Sequence, residues 1–220
     1  GQASFASSPA HNAVQTHCAA GGGVKSIKAQ TFGGGQFAGD GIGLRRGLPN
    51  KTVVLNHWVY LDAASFPTAN GASLSGIISY GAGGAGRNYM ALGVDAQNHP
   101  TLVLQTKAGT GQPQILASNL GVSIAPGSWR QVELRGDENH TWSVLVDGAE
   151  VIRQSNVDDS AFWAFPDLAY HFGISDHRNN AGTLVAYVDE MSAGNTSFQD
   201  CFGWSASVCP FGTGGTPADT

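Results

Sequence analysis

Trp129-Arg-Gln-Val-Glu-Leu-Arg135, Gly136-Asp-Glu-Asn-His140, Thr141-Trp-Ser-Val-Leu-Val146, Asp147-Gly148 and Ala149-Glu-Val-Ile-Arg-Gln154 form the stretch that decides the fold. Three short runs rich in β-branched and aromatic residues are separated by two breaks of turn-forming residues. The second break, Asp147-Gly148, is a hairpin signal, because a two-residue hairpin turn needs positive φ at its central positions. The stretch therefore predicts three strands, 129–135, 141–146 and 149–154, running back and forth.

The same pattern extends outward. Lys51–Asp62 alternates strictly, with Val53, Leu55, His57, Val59 and Leu61 on one face. Val54, Asn56, Trp58, Tyr60 and Asp62 take the other. Further strands are predicted at 24–32, 73–80, 87–94, 101–107, 114–118, 169–174 and 183–191. Between them lie Gly81–Gly86, the turns Asp95–Pro100 and Ala125–Ser128, and a Gly-rich segment, 33–47, expected as a loop. Only Asp158–Phe165 reads as a helical turn. Strands at this spacing with Gly and Pro turns indicate an all-β protein. The expected fold is an antiparallel β-sandwich, or jelly roll, of two packed sheets with about 11–14 strands and at most one short helix. There is no strand–helix alternation to support a parallel sheet, and no internal repeat to support a propeller or β-helix. The division expected is a lead-in over 1–23 with one short edge strand, a sandwich domain over 24–210, and a flexible tail or linker over 211–220.

Composition narrows the function. Charged residues make up 12% of the 220, well below the usual ~25%, and the net charge is -5. A chain of that sign lacks the clustered basic charge that duplex nucleic acid requires, and no apolar run is long enough for a membrane span. Three cysteines are present. Cys201–Cys209, or Cys18 with either of them, can pair, and an odd count leaves one over. Asn50, Asn139 and Asn195 each begin a glycosylation sequon. Sequons, a disulfide and a Lys-poor surface together predict an extracellular protein, secreted or held at the cell surface.

Pro126-Gly-Ser-Trp-Arg-Gln-Val-Glu-Leu134 followed by Trp142-Ser-Val-Leu-Val-Asp-Gly148 resembles the concanavalin A-like lectin/glucanase superfamily, in particular its laminin-G-like branch. Asn56-His-Trp-Val-Tyr-Leu-Asp62 is similar to an early strand of that family, and Tyr187-Val-Asp-Glu-Met-Ser192 to its closing strand. The resemblance covers roughly residues 24–194 and implies the jelly-roll fold. It spans lectins, glycosidases, polysaccharide lyases and adhesion domains, so the site must be argued from its own residues. It also implies that Asp189 ties the last strand to the first, sometimes through one structural calcium, for which Asp40 is the candidate second ligand.

Retaining glycosidases need two carboxyls about 5 Å apart. Glu133 is alone on its strand, and Asp189 and Glu190, being adjacent, should point to opposite faces. Lyases acting on uronates need a group that neutralises the carboxylate, a base and an acid. Asn56, Tyr60, Arg87, His171 and Tyr187 supply those types, with His57 as the alternative to Asn56 if the pleat is inverted, and one sheet face is expected to present them together with Gln105, Lys107 and Arg130. Glycan binding needs an aromatic platform and polar groups for hydroxyls. Trp58, Tyr60, Tyr89, Gln105, Lys107, Arg130, Trp163 and His171 are the candidates. Trp163 lies in an aromatic loop that reads as a plug for the core slightly better than as a lid. Trp129 and Trp142 read as structural. No nucleophile elbow, phosphate loop or zinc spacing is present. The expected function is an extracellular carbohydrate-binding or adhesion module using a concave sheet face. The alternatives are a polysaccharide lyase cleaving an acidic glycan by β-elimination, and a structural subunit of an extracellular assembly. The expected partner is a polysaccharide, with a neighbouring domain or self-assembly besides.

Overall fold

The computed structural model describes residues 3–5, 14–15, 26–31, 38–47, 52–80, 88–105, 113–164, 167–176 and 182–194. The meander at 129–154 forms as expected: β10 (Trp129–Asp137), β11 (Thr141–Val146) and β12 (Ala149–Gln154) pair antiparallel in succession. Asp147 and Gly148 take φ of 51° and 80° between β11 and β12, the left-handed geometry that a tight hairpin demands.

Two seven-stranded antiparallel sheets result. The front sheet holds β1 (Ala3–Phe5), β4 (Ala38–Gly47), β6 (Ala72–Tyr80), β7 (Asn88–Val94), β8 (Pro100–Gln105), β9 (Gln114–Ser118) and β13 (Asp167–Asp176), in the order β1-β4-β13-β6-β7-β8-β9. The back sheet adds β2 (Val14–Gln15), β3 (Ser26–Gln30), β5 (Thr52–Leu61) and β14 (Val185–Gly194), in the order β12-β11-β10-β5-β14-β3-β2. One short helix, α1 (Ser160–Trp163), falls inside the stretch expected to be helical.

Period-two alternation accounts for the core. Val53, Leu55, Val59 and Leu61 of β5 are buried with Val132 and Leu134 of β10, facing Ile77, Met90, Leu92, Leu102, Leu168, Phe172 and Ile174 of the front sheet. Burying a side chain of this size contributes roughly 1.5–3 kcal/mol, so this interior is what holds the two sheets together. Trp142 lies in it, packed edge-on to Phe162. Its ring covers Gly136, its cross-strand partner, where a Cβ would meet the indole at 2.5 Å.

Two expectations are corrected. Residues 38–47 are not loop but β4, paired with β13 at every one of its positions from Ala38↔Asp176 to Gly47↔Asp167. Glycine depresses intrinsic strand preference, and long-range pairing overrides that preference here. The lead-in carries two short strands, β1 and β2, one on each sheet. The tail 211–220, the three cysteines, Asn50, Asn195, Arg87 and Lys107 lie outside the described residues.

Candidate functional site

The sandwich leaves two outer faces, and the candidate residues divide between them. On β13, Leu168, Tyr170, Phe172 and Ile174 point inward, so His171 points outward from the front sheet. On β7, Met90, Leu92 and Val94 are core, which places Tyr89 on the same outer face as His171. Gln105 joins them as the cross-strand partner of Tyr89. The strand order β13-β6-β7-β8 sets these residues in two neighbouring rows of one face: Tyr89 and Gln105 lie in line with Ile78 and Ala169, and His171 lies in the next row with Gly76, Ala91 and Val103. His171 pairs with Gly76, and Gly76 pairs with Ala91 on the far side. The Tyr89 ring leans diagonally over Gly76, with Cε2 and Cζ at 2.3 and 2.5 Å from where a Cβ would stand. The ring tip is thus carried over the residue that separates β7 from His171.

All three side chains are buried at the floor of this face. Around them lie Tyr89, Ala91 and Val103, an apolar cluster distinct from the main core, with Ile78 packed against it. Burial pushes the His171 imidazole down to about 4, because an apolar environment disfavours the charged form. At neutral pH the ring is uncharged and able to accept a proton.

The back sheet's outer face carries Asn56, Trp58, Tyr60 and Tyr187, together with Trp129, Gln131, Glu133 and Arg135 of β10. The expectation that Asn56, Tyr60, Arg130 and Tyr187 share a face with Gln105 and His171 is corrected, because β5, β10 and β14 belong to the other sheet. Here the polar groups bind one another. Asn56 Nδ2 donates to Glu133 Oε2 at 2.8 Å, Arg135 Nε donates to Glu133 Oε1, and Gln131 Nε2 reaches Asn56 Oδ1 at 3.4 Å. Trp58, Trp129 and Tyr187 form a buried cluster with Tyr60 and Val185, and Tyr60 stacks on Trp129 and Tyr187 at 5.7 and 5.9 Å. Arg130 is held at the end of β10 by Asp147 Oδ2 at 2.5 Å and Ser123 O at 3.3 Å.

The pleat of β5 runs as read from the sequence. His57 points between the sheets, where its ring meets Phe172 edge-on at 5.6 Å, and among the described residues neither ring nitrogen has a hydrogen-bond partner. Burial first, and His171 second, push it down to about 3.

Trp163 plugs the core, stacked on Trp142 and Phe162 at 5.8 and 5.1 Å. The anchor of this region went unread in the sequence. The buried Asp159 carboxylate accepts from Trp163 Nε1 at 2.8 Å and from Trp142 Nε1, and its other oxygen lies 2.5 Å from His140 Nδ1. The only sequence signal was an acid ahead of an aromatic run.

A bulge breaks the alternation expected at Asp189 and Glu190. The register shifts between Asp189 and Ser192, and Glu190 takes a φ of 48°. The Glu190 carboxyl is raised by burial first and by Asp189 second, and Trp58 opposes the rise. Asp189 sits on the back sheet and Asp40 on the front sheet, and Asp189 Oδ1 accepts the Glu190 N–H at 2.8 Å. Among the described residues no group of three acids, histidines or cysteines could hold a metal ion.

Among the described residues no helix is long and apolar enough to cross a membrane. No protein-family model and no curated protein matches the chain. Solved structures do. It is similar to alginate lyase vAL-1 from Chlorella virus, with a TM-score of 0.62 and 12% identity over 84% of this chain and 89% of that one. It is similar to an endo-β-1,4-glucuronan lyase from the fungus Trichoderma reesei, with a TM-score of 0.60 and 16% identity over 84% and 87%. The cellulose induced protein Cip1 gives 0.57 and 16% over 89% and 92%. At these identities the likeness shows a shared jelly-roll sandwich.

Proposed function

We propose that the outer face of the front sheet holds an acidic polysaccharide and cleaves it by β-elimination. The single observation that carries this reading is the placement of His171, Tyr89 and Gln105 on one outer face of the front sheet, with the Tyr89 ring leaning over Gly76, the cross-strand partner of His171. Neutral His171 takes the C5 proton of a uronate residue. The electron pair forms the C4=C5 double bond, the C4–O4 bond breaks, and the Tyr89 hydroxyl protonates the departing O4. Gln105 donates its amide hydrogens to the uronate carboxylate and so favours the carbanion-like state. His171 then returns its proton to the tyrosinate. General acid–base groups of this kind contribute about 10²–10⁴-fold each. The solved structures of similar fold include lyases of alginate and glucuronan, which supports a uronate as the substrate class.

The test is incubation with polyglucuronate and with alginate, followed by ultraviolet absorbance of the new conjugated double bond. Product accumulation that is lost in His171→Ala supports the reading, and no product from either polymer at any pH removes it.

A second reading is carbohydrate binding without cleavage. The apolar cluster of Tyr89, Ala91 and Val103 favours it, since sugar C–H faces stack on such surfaces. Retention on immobilised polysaccharide with no unsaturated product would select it. An extracellular setting accompanies both readings. Asn139 lies exposed in the turn between β10 and β11, where an N-glycan has room.

A further inference from the structure

We infer that Gly76 is a positioning residue, whose missing side chain sets where the Tyr89 phenol stands relative to His171. The inference rests on the reading of this face as the site. A Cβ at residue 76 would stand 2.3 Å from Tyr89 Cε2, 2.5 Å from Tyr89 Cζ and 2.7 Å from the Met90 carbonyl oxygen. Contacts that short do not exist, so any side chain evicts the ring. The neighbours show why the spot matters. Gly76 is paired with His171 on one side and with Ala91 on the other, and adjacent strands lie about 4.8 Å apart. With Gly76 the ring lies across β6 and its tip points toward the strand of His171. With a methyl group there, the ring must turn back over β7, away from the imidazole. The glycine thus does nothing chemical itself and acts through Tyr89.

The test follows the His171 imidazole signals by NMR in the full chain, identified by their loss in His171→Gln. Gly76→Ala is expected to move them in the same direction as Tyr89→Ala. The double variant Gly76→Ala/Tyr89→Ala is expected to move them no further than Tyr89→Ala alone, and to recover the part of the melting temperature that the ring clash costs, the contact with the Met90 carbonyl remaining. His171 signals unchanged in Gly76→Ala, or summed shifts in the double variant, would overturn the inference. So would a double variant that fails to fold, since the clash would then lie with the Met90 backbone and not with the ring. In the cleavage assay Gly76→Ala should lower kcat by about 10²-fold with KM held within about twofold, as loss of an acid–base partner does. A wild-type protein that yields no unsaturated product defeats the lyase reading, while the NMR coupling still decides the role of Gly76.

Discussion

The two outer faces of this sandwich are built from similar residue types and are put together differently. On the back sheet, Glu133 is clasped by Asn56 and Arg135, and Gln131 reaches Asn56. Carboxylate, amides and guanidinium satisfy one another, which stabilises the strands that carry them. On the front sheet, burial keeps the His171 imidazole neutral, and the missing side chain of Gly76 beside it is filled by the Tyr89 ring. The contrast teaches that similar residue types on two sheets can be held in different ways, by mutual hydrogen bonds on one face and by burial on the other.

The sharpest way to break the comparison is to remove the base from one face and the acid from the other. His171→Ala should lower kcat for uronate cleavage by about 10³-fold. Glu133→Gln should leave kcat within about twofold, because it touches only the back face. Equal losses in the two variants would erase the distinction between the faces.

Acid stability comes next. His57 and His171 have folded values of about 3 and about 4 against an ordinary 6.5. The unfolded chain therefore binds the protons first, and stability falls as pH drops from 6.5 toward 4. Each histidine should cost about 2 kcal/mol between pH 7 and 5, at 1.36 kcal/mol per unit below 6.5. Denaturant titrations at the two pH values measure the sum, and His57→Phe should remove about half of it. A profile of half that slope would show that one of the two rings is hydrated, and a flat profile that both are. Under the proposed lyase reading, the same value for His171 puts the acidic limb of kcat/KM near pH 4.

The back-face network itself should be worth less. Asn56→Ala leaves the buried Glu133 carboxylate short of one donor and should destabilise by about 1–3 kcal/mol, read from urea midpoints, with cleavage unchanged. The smallest effect is expected at His57 at pH 7. His57→Leu removes two unpartnered nitrogens from an apolar slot beside Phe172. It should be neutral or stabilising by up to about 1 kcal/mol, and a loss above that would mean the imidazole has a bound water.

Much of the fold could be read from the chain. The strands at 52–61, 129–137, 141–146 and 149–154 follow from alternation and from the turn chemistry of Asp147-Gly148, and the inward side of β5 follows from the same pleat. β4 could not be read, because Gly39, Gly41, Gly43 and Gly47 carry no periodic side-chain signal and only their pairing with β13 makes them strand. The Asp189–Glu190 pair misled for a related reason: a bulge suspends the period-two rule on which the reading depended.

The site was half legible. His171, Tyr89 and Gln105 were each marked as chemistry-bearing, yet grouped with Asn56, Tyr60, Arg130 and Tyr187, which the structure puts on the opposite side of the sandwich. Side-chain alternation is local, so the chain alone determines which residues of one strand share a face. Strand order is settled by hydrogen bonds between segments far apart in sequence, such as Gly76 with His171, and nothing within either segment encodes its neighbour. That is why an all-β sandwich was written in the residues, and why only tertiary pairing put a histidine of β13, a glycine of β6 and a tyrosine of β7 on one outer face.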